Sequence, residues 1–181
     1  MRRPWKRVDA EIVLDLGIIR LRRDTYELDS RRAHPFHVLE SNPWVNVVAV
    51  TDSDQVILVR QYRHGILGPS LEVPGGVVDP RDASPRAGAE RELLEETGYA
   101  ADRWTSLGSV TSNPAILDNR THFFLATGLH RVADPSPDEL EDLETEVCAV
   151  AEIEGLIAKG EIHHSLSVCA LSRYLLGRRE A

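Results

Sequence analysis

Residues 72–99 read E-V-P-G-G-V-V-D-P-R-D-A-S-P-R-A-G-A-E-R-E-L-L-E-E-T-G-Y, a glycine-bearing loop that runs into an acidic segment. Local rules make that segment a helix. Ser84 can cap it, Pro85 suits the first helical position, and Gly98 supplies the left-handed residue that ends it. About fourteen residues of helix follow. On a wheel of about 100° per residue, Glu92, Glu95 and Glu96 share one arc, and Ala87, Ala89, Leu93 and Leu94 take the rest. The carboxylates are expected on one face and the leucines in the core.

Carboxylates three and four residues apart repel one another, by a few tenths of a kcal/mol per pair in an isolated helix. A hard divalent cation would compensate. Mg²⁺ takes a few protein oxygens, keeps some waters and completes its octahedron with phosphate oxygens. Gly88, one turn before Glu92, leaves room for such a ligand, while the helix N-terminus and Pro74-Gly75-Gly76 bring backbone groups close to it. A run such as Arg-Glu-Leu-Leu-Glu-Glu is by itself more often a solvated face. Glycine loop, cap and acidic helix in that order point instead to a site.

Together these residues resemble the Nudix box, the signature of hydrolases that cleave nucleoside diphosphates linked to another moiety. Arg91-Glu92-Leu93-Leu94-Glu95-Glu96-Thr97-Gly98-Tyr99 matches the second half at every specified position. The first half departs, with Asp82 where the family has Glu and eight residues instead of seven before Arg91. That puts the geometry of the loop in question more than metal binding. The resemblance implies that Glu92 and Glu96 hold the metal with the Gly75 carbonyl, that Glu95 assists, and that Arg91 orients the glutamates. Mg²⁺ is the implied ion, with Mn²⁺ as an alternative. A further acid from residues 138–146 is implied as base or metal ligand; Glu144 has the best register, with Glu141 and Glu146 as alternatives.

Outside the box, R-Q-Y-R-H-G-I, S-L-E-V-P-G-G and N-P-A-I-L-D-N-R-T-H-F-F-L-A, with Pro114 fifteen residues past Tyr99, are similar to the ADP-ribose pyrophosphatase branch. That likeness implies hydrolysis of ADP-ribose to AMP and ribose 5-phosphate by a homodimer whose N-terminal strands exchange. By the same analogy Trp44 or Trp5 could stack on adenine, with core or interface packing as the plainer assignment. Another nucleotide sugar is the rival substrate class. A nucleotide-sensing module is the rival of a different kind, disfavoured because Glu92, Glu95 and Glu96 are all present.

The remaining chain sets the frame. Its 181 residues suit an N-terminal β-strand unit (1–42), expected to dimerise, and a Nudix domain (43–181) folded as an α/β/α sandwich on a mixed sheet. Residues 12–28 read as two strands around Gly17, with a third at 36–39. Alternation of Ile19 and Leu21 with Arg20 and Arg22 predicts one packed and one exposed face, and Arg20, Arg22 and Arg23 read as solvated charges before a phosphate patch. Residues 45–50 and 56–63 read as a central hairpin ending at Arg63, which can clamp phosphate oxygens bidentately or form a surface salt bridge. Strands are expected at 104–110, at 121–127 and from 146, with a loop of about fifteen residues before the last. A helix ended by Gly160 and another over 165–176 close the chain; His163 and His164 before the latter read as exposed or capping residues.

The net charge of −8 disfavours a nonspecific grip on nucleic acid or an anionic membrane. No stretch approaches the roughly 18 apolar residues of a membrane span. Cys148 and Cys169 lack metal-ligand spacing and read as free thiols, in keeping with a cytoplasmic protein whose partner is a small nucleoside diphosphate.

Overall fold

Gly17, at φ 81°, turns the chain between its first two strands, β1 (Lys6–Asp15) and β2 (Ile19–Leu28), and β3 (Arg31–Ser41) completes an antiparallel meander in the order β1-β2-β3. The computed structural model describes residues 5–28, 31–136 and 142–180. By contacts the chain forms two compact units: residues 1–43 with 111–120, and residues 44–110 with 121–181.

In the first unit the expected packed face is missing from β1, every residue of which is exposed, including Val8, Ile12, Val13 and Leu14. A single three-stranded layer has no second layer within its own unit to cover the apolar side chains of β1. What the unit buries is charge. Asp24 is fully buried and accepts from Arg22 Nε and Nη2 at 2.8 and 3.1 Å, bonds that hold its carboxyl below the usual range. Arg22 also pairs with Glu40 and Asp118, Arg20 with Glu40, and Arg23 with Glu11, so this arginine cluster is matched by carboxylates. Trp5, Tyr26 and Phe36 meet edge to face with centroids 5.7–6.5 Å apart. The loop shaped by Pro114 joins this unit through Leu39 N–H to Ile116 O at 2.7 Å and Asn119 Nδ2 to Asn42 O at 3.2 Å.

The second unit is built on β4 (Trp44–Val50) and β5 (Gln55–Arg63), the hairpin expected from the apolar runs, with Asp54 at φ 57° in its turn. There follow β6 (Gly68–Glu72), α1 (Pro85–Thr97), β7 (Tyr99–Thr111), β8 (Arg120–Arg131), β9 (Leu143–Ala149), α2 (Ile153–Ala158) and α3 (Ser165–Glu180). The sheet order is β6-β5-β4-β8-β7, with β9 added to β5; β4 and β8 run parallel, making the sheet mixed.

Period-two alternation divides the core. Val45, Val47, Ala49 and Ile57 pack against Ala89 and Leu93 of α1. Val48, Val50, Val56 and Leu58 face Ile153, Leu166, Ala170 and Leu171 of α2 and α3. The result is the expected α/β/α sandwich. β6 was not anticipated, since Gly65, Gly68 and Pro69 suggest a loop; Pro69 is tolerated where β6 forms the end of the sheet order. Among the described residues no helix is long and apolar enough to cross a membrane.

Candidate active site

α1 begins as its sequence dictates. The Ser84 side chain accepts from Ala87 N–H at 3.2 Å, Pro85 follows, and Gly98 closes the helix at φ 74° with its amide on Leu94 O. Its faces differ from the wheel. Leu93 is fully buried as expected, but Leu94 is 37 % exposed and Glu96 only 3 % exposed. The glutamates therefore do not share one solvent face: Glu96 turns inward beside the core, and Glu95 remains near half-exposed.

A backbone bond offsets the burial of Glu96. Oε2 accepts from the Gly75 amide at 2.9 Å. The flanking Pro74 and Gly76 carbonyls accept from Val47 and Val45 of β4, so in this extended stretch Gly75 faces the other way, toward α1. Only glycine fits there: φ is 156°, and a Cβ would lie 2.1 Å from Val45 O. At Gly76 a Cβ would come within 2.5–2.9 Å of the Glu92 carboxylate. The two glycines thus receive the ends of Glu92 and Glu96 against bare backbone.

Arg91 ties loop to helix. It donates to Asp82 Oδ1 and Oδ2 at 3.2 and 3.0 Å, to Val77 O at 3.0 Å and to Glu95 Oε2 at 2.8 Å, and lies 3.1 Å from Glu92 Oε1. These bonds, Asp82's first, raise the guanidinium pKa and lower that of Asp82. Asp82 also accepts from its loop neighbour Asp79 N–H at 2.8 Å. The room expected at Gly88 is occupied by Asp82, whose Oδ2 would lie 2.9 Å from a Cβ there. Asp82 braces the loop from a shifted register.

Arg63 stands at the end of β5 as expected and gives its fork to Glu72, Nε to Oε1 at 2.8 Å and Nη2 to Oε2 at 2.7 Å. Sequence reasoning gave Glu72 no role. A carboxylate inside the apolar run L-E-V was the available signal, because a buried charge requires a partner. Burial alone would push its carboxyl up; bonds from Arg63 and His164 hold it well below the usual carboxylate range.

The structure does not bring Glu144 to this cluster. On β9 it pairs with Arg60, and it alternates with Thr145, whose hydroxyl donates to Glu96 O at 3.4 Å. Period two therefore places Glu144 and Glu146 on the face of β9 away from α1, where Glu146 bonds Arg60. Glu141 lies outside the described residues. Ser136 N–H donates to Glu95 O of α1 at 2.7 Å.

The oxygens seated at the glycine loop are those of Glu92 and Glu96, and carboxylate oxygens suit a hard divalent cation. Among the described residues no three His, Cys, Asp or Glu side chains form a ready metal cluster, so backbone and substrate oxygens would have to complete the coordination.

With that geometry in view, residues 41–169 match the family described as the NUDIX domain. The chain belongs to the Nudix family. An ADP-ribose pyrophosphatase of Mycobacterium tuberculosis is 29 % identical over 168 residues, covering 92 % of this chain and 81 % of its own length. One from Bacillus subtilis is 28 % identical over 92 % of this chain and 90 % of its own. A crystal structure of an ADP compounds hydrolase superposes with a TM-score of 0.83 over 96 % of this chain and 95 % of that one; at 24 % identity it speaks for the fold. This Nudix chain is a hydrolase resembling the ADP-ribose pyrophosphatases.

Proposed function

We propose that the chain hydrolyses the diphosphate of ADP-ribose to AMP and ribose 5-phosphate. The observation that carries the reading is the seating of Glu92 and Glu96 against Gly76 and Gly75, braced by Arg91. Support for the substrate comes from relatives called ADP-ribose pyrophosphatases that align along nearly the whole chain. Glu92, Glu96 and the Gly75 carbonyl would hold Mg²⁺, with Mn²⁺ as the alternative. Bound there, the ion would neutralise pyrophosphate oxygens and lower the pKa of attacking water.

The chain's own residues do the positioning. Arg91 keeps Glu92 and Glu95 in place, Glu96 is locked to the loop amide, and Arg63 offers a cation at the end of β5 for the diphosphate. Glu95, more exposed than Glu92 or Glu96, assists. Glu144 is left out of this set by its register on β9.

The exposed apolar residues of β1 support a homodimer, and the free thiols Cys148 and Cys169 support a cytoplasmic setting. Light scattering on the purified chain tests the dimer. Product analysis with ADP-ribose, other ADP-sugars, GDP-mannose, NADH and dinucleoside polyphosphates, each with Mg²⁺, Mn²⁺ or chelator, tests the activity. Metal-dependent release of AMP with preference for ADP-ribose is expected; preference for another diphosphate would replace the substrate and keep the chemistry.

A further inference from the structure

Arg63 and His164 share a single buried carboxylate. Both oxygens of Glu72 accept from Arg63, and Oε2 also lies 2.9 Å from His164 Nδ1. Glu72 is 1 % exposed, whereas the side chains of Arg63 and His164 are 42 % and 29 % exposed. The carboxylate is thus an inner anchor for two groups that reach the surface.

The tautomer follows from the contacts. An ionised carboxylate offers only lone pairs, so a nitrogen at that distance must carry the proton. The other neighbour of Nδ1 is the Ser167 hydroxyl at 3.0 Å, whose oxygen already accepts from Val73 N–H at 3.2 Å. His164 therefore donates from Nδ1 to Glu72. Its own backbone is fixed as well, since it directly precedes α3 and its carbonyl accepts from Val168 N–H at 2.9 Å.

An arginine fork sets the plane of a carboxylate only as firmly as the carboxylate is itself held. The third donor removes the rotation that would remain. We propose that His164 is a positioning residue for substrate: through Glu72 it fixes the guanidinium of Arg63 in the orientation that grips the diphosphate. This rests on Arg63 binding substrate, as given under Proposed function. The residue that leads into α3 thereby bears on substrate grip without touching substrate.

The test uses the full chain with His164→Ala, His164→Asn and Arg63→Ala. Asparagine carries an amide nitrogen where histidine has Nδ1, and so retains the donor. Steady-state kinetics with ADP-ribose and Mg²⁺ are paired with calorimetric binding of inorganic pyrophosphate in Mg²⁺, and urea unfolding confirms that each variant is folded. Loss of one hydrogen bond to a charged group predicts that His164→Ala raises KM and the pyrophosphate Kd by about tenfold, with kcat within about twofold. His164→Asn is expected to restore both to within about threefold, and Arg63→Ala to weaken pyrophosphate more than His164→Ala does. Unchanged pyrophosphate affinity in folded His164→Ala, or an asparagine variant no better than alanine, would overturn the proposal, as would a wild type that binds no pyrophosphate. If ADP-ribose is not hydrolysed, the substrate assignment fails, and the pyrophosphate arm still decides the role of His164.

Discussion

Adding one methyl group at Gly76 separates the chemistry of the loop from its stability. A Cβ there would lie 2.5 Å from Glu92 Oε1, 2.7 Å from Cδ and 2.9 Å from Oε2, distances that real contacts do not show. Its φ lies outside the left-handed range, so the backbone accepts alanine, and what must yield is the end of a flexible side chain. Restoring ordinary contact of about 3.5 Å moves the carboxylate by about 1 Å, and a misplacement of that size at a reacting centre lowers turnover by about 10²-fold. Stability changes little, because strain in Glu92 is offset by about 0.4–1 kcal/mol from the stiffer unfolded chain. Gly75→Ala is the opposite case. Its Cβ would meet the backbone at Val45 O and Asn46 Cα, at a φ of 156°, and a loss of about 3 kcal/mol or more is expected. Urea unfolding and kcat with ADP-ribose and Mg²⁺ read both effects. If Gly76→Ala keeps more than a third of wild-type kcat, the position of Glu92 against the loop is not what turnover depends on.

Glu96→Gln can still accept from the Gly75 amide, so it should fold normally and lose about 10²-fold or more in kcat; near-normal turnover of the folded variant would remove Glu96 from the site. Glu72 is expected to stabilise the fold in a pH-dependent way. Its folded pKa is depressed, so its contribution is full above the unfolded carboxylate range near 4.3 and fades as pH falls through and below it. The stability gap between wild type and Glu72→Gln, about 2 kcal/mol at pH 7, should therefore narrow between pH 5 and pH 3; a gap that is constant over that range would contradict the assignment. Glu144→Gln is expected to change kcat by less than about threefold, because β9 turns that residue away from α1; a hundredfold loss would show that the register misplaces it.

The legible part of this chain was local. Ser84, Pro85 and Gly98 act through bonds within one helix, so they bound α1 in sequence as they do in structure, and the apolar runs at 45–50 and 56–63 read as the central hairpin they form. The ambiguous part was long-range. A helical wheel cannot show that Glu96 meets a loop amide 21 residues earlier, nor that Asp82 reaches Arg91 across the extra residue and fills the gap at Gly88. Arg63 and Glu72 meet across the β5–β6 pair, but His164 joins them from about ninety residues further along the chain, just ahead of α3. Glu144 was chosen on chain register alone, which does not tell which way a strand residue points.

Two bonds at the end of α1 carry a consequence for variation. The carbonyls of Glu95 and Glu96, in the last turn where a helix has no amide donors of its own to offer, accept from Ser136 N–H and the Thr145 hydroxyl. The end of the helix that bears the glutamates is thus held from two later places in the chain, one ahead of β9 and one on it. A substitution that displaced Ser136 or the start of β9 would be felt at Glu95 and Glu96 without touching either carboxylate.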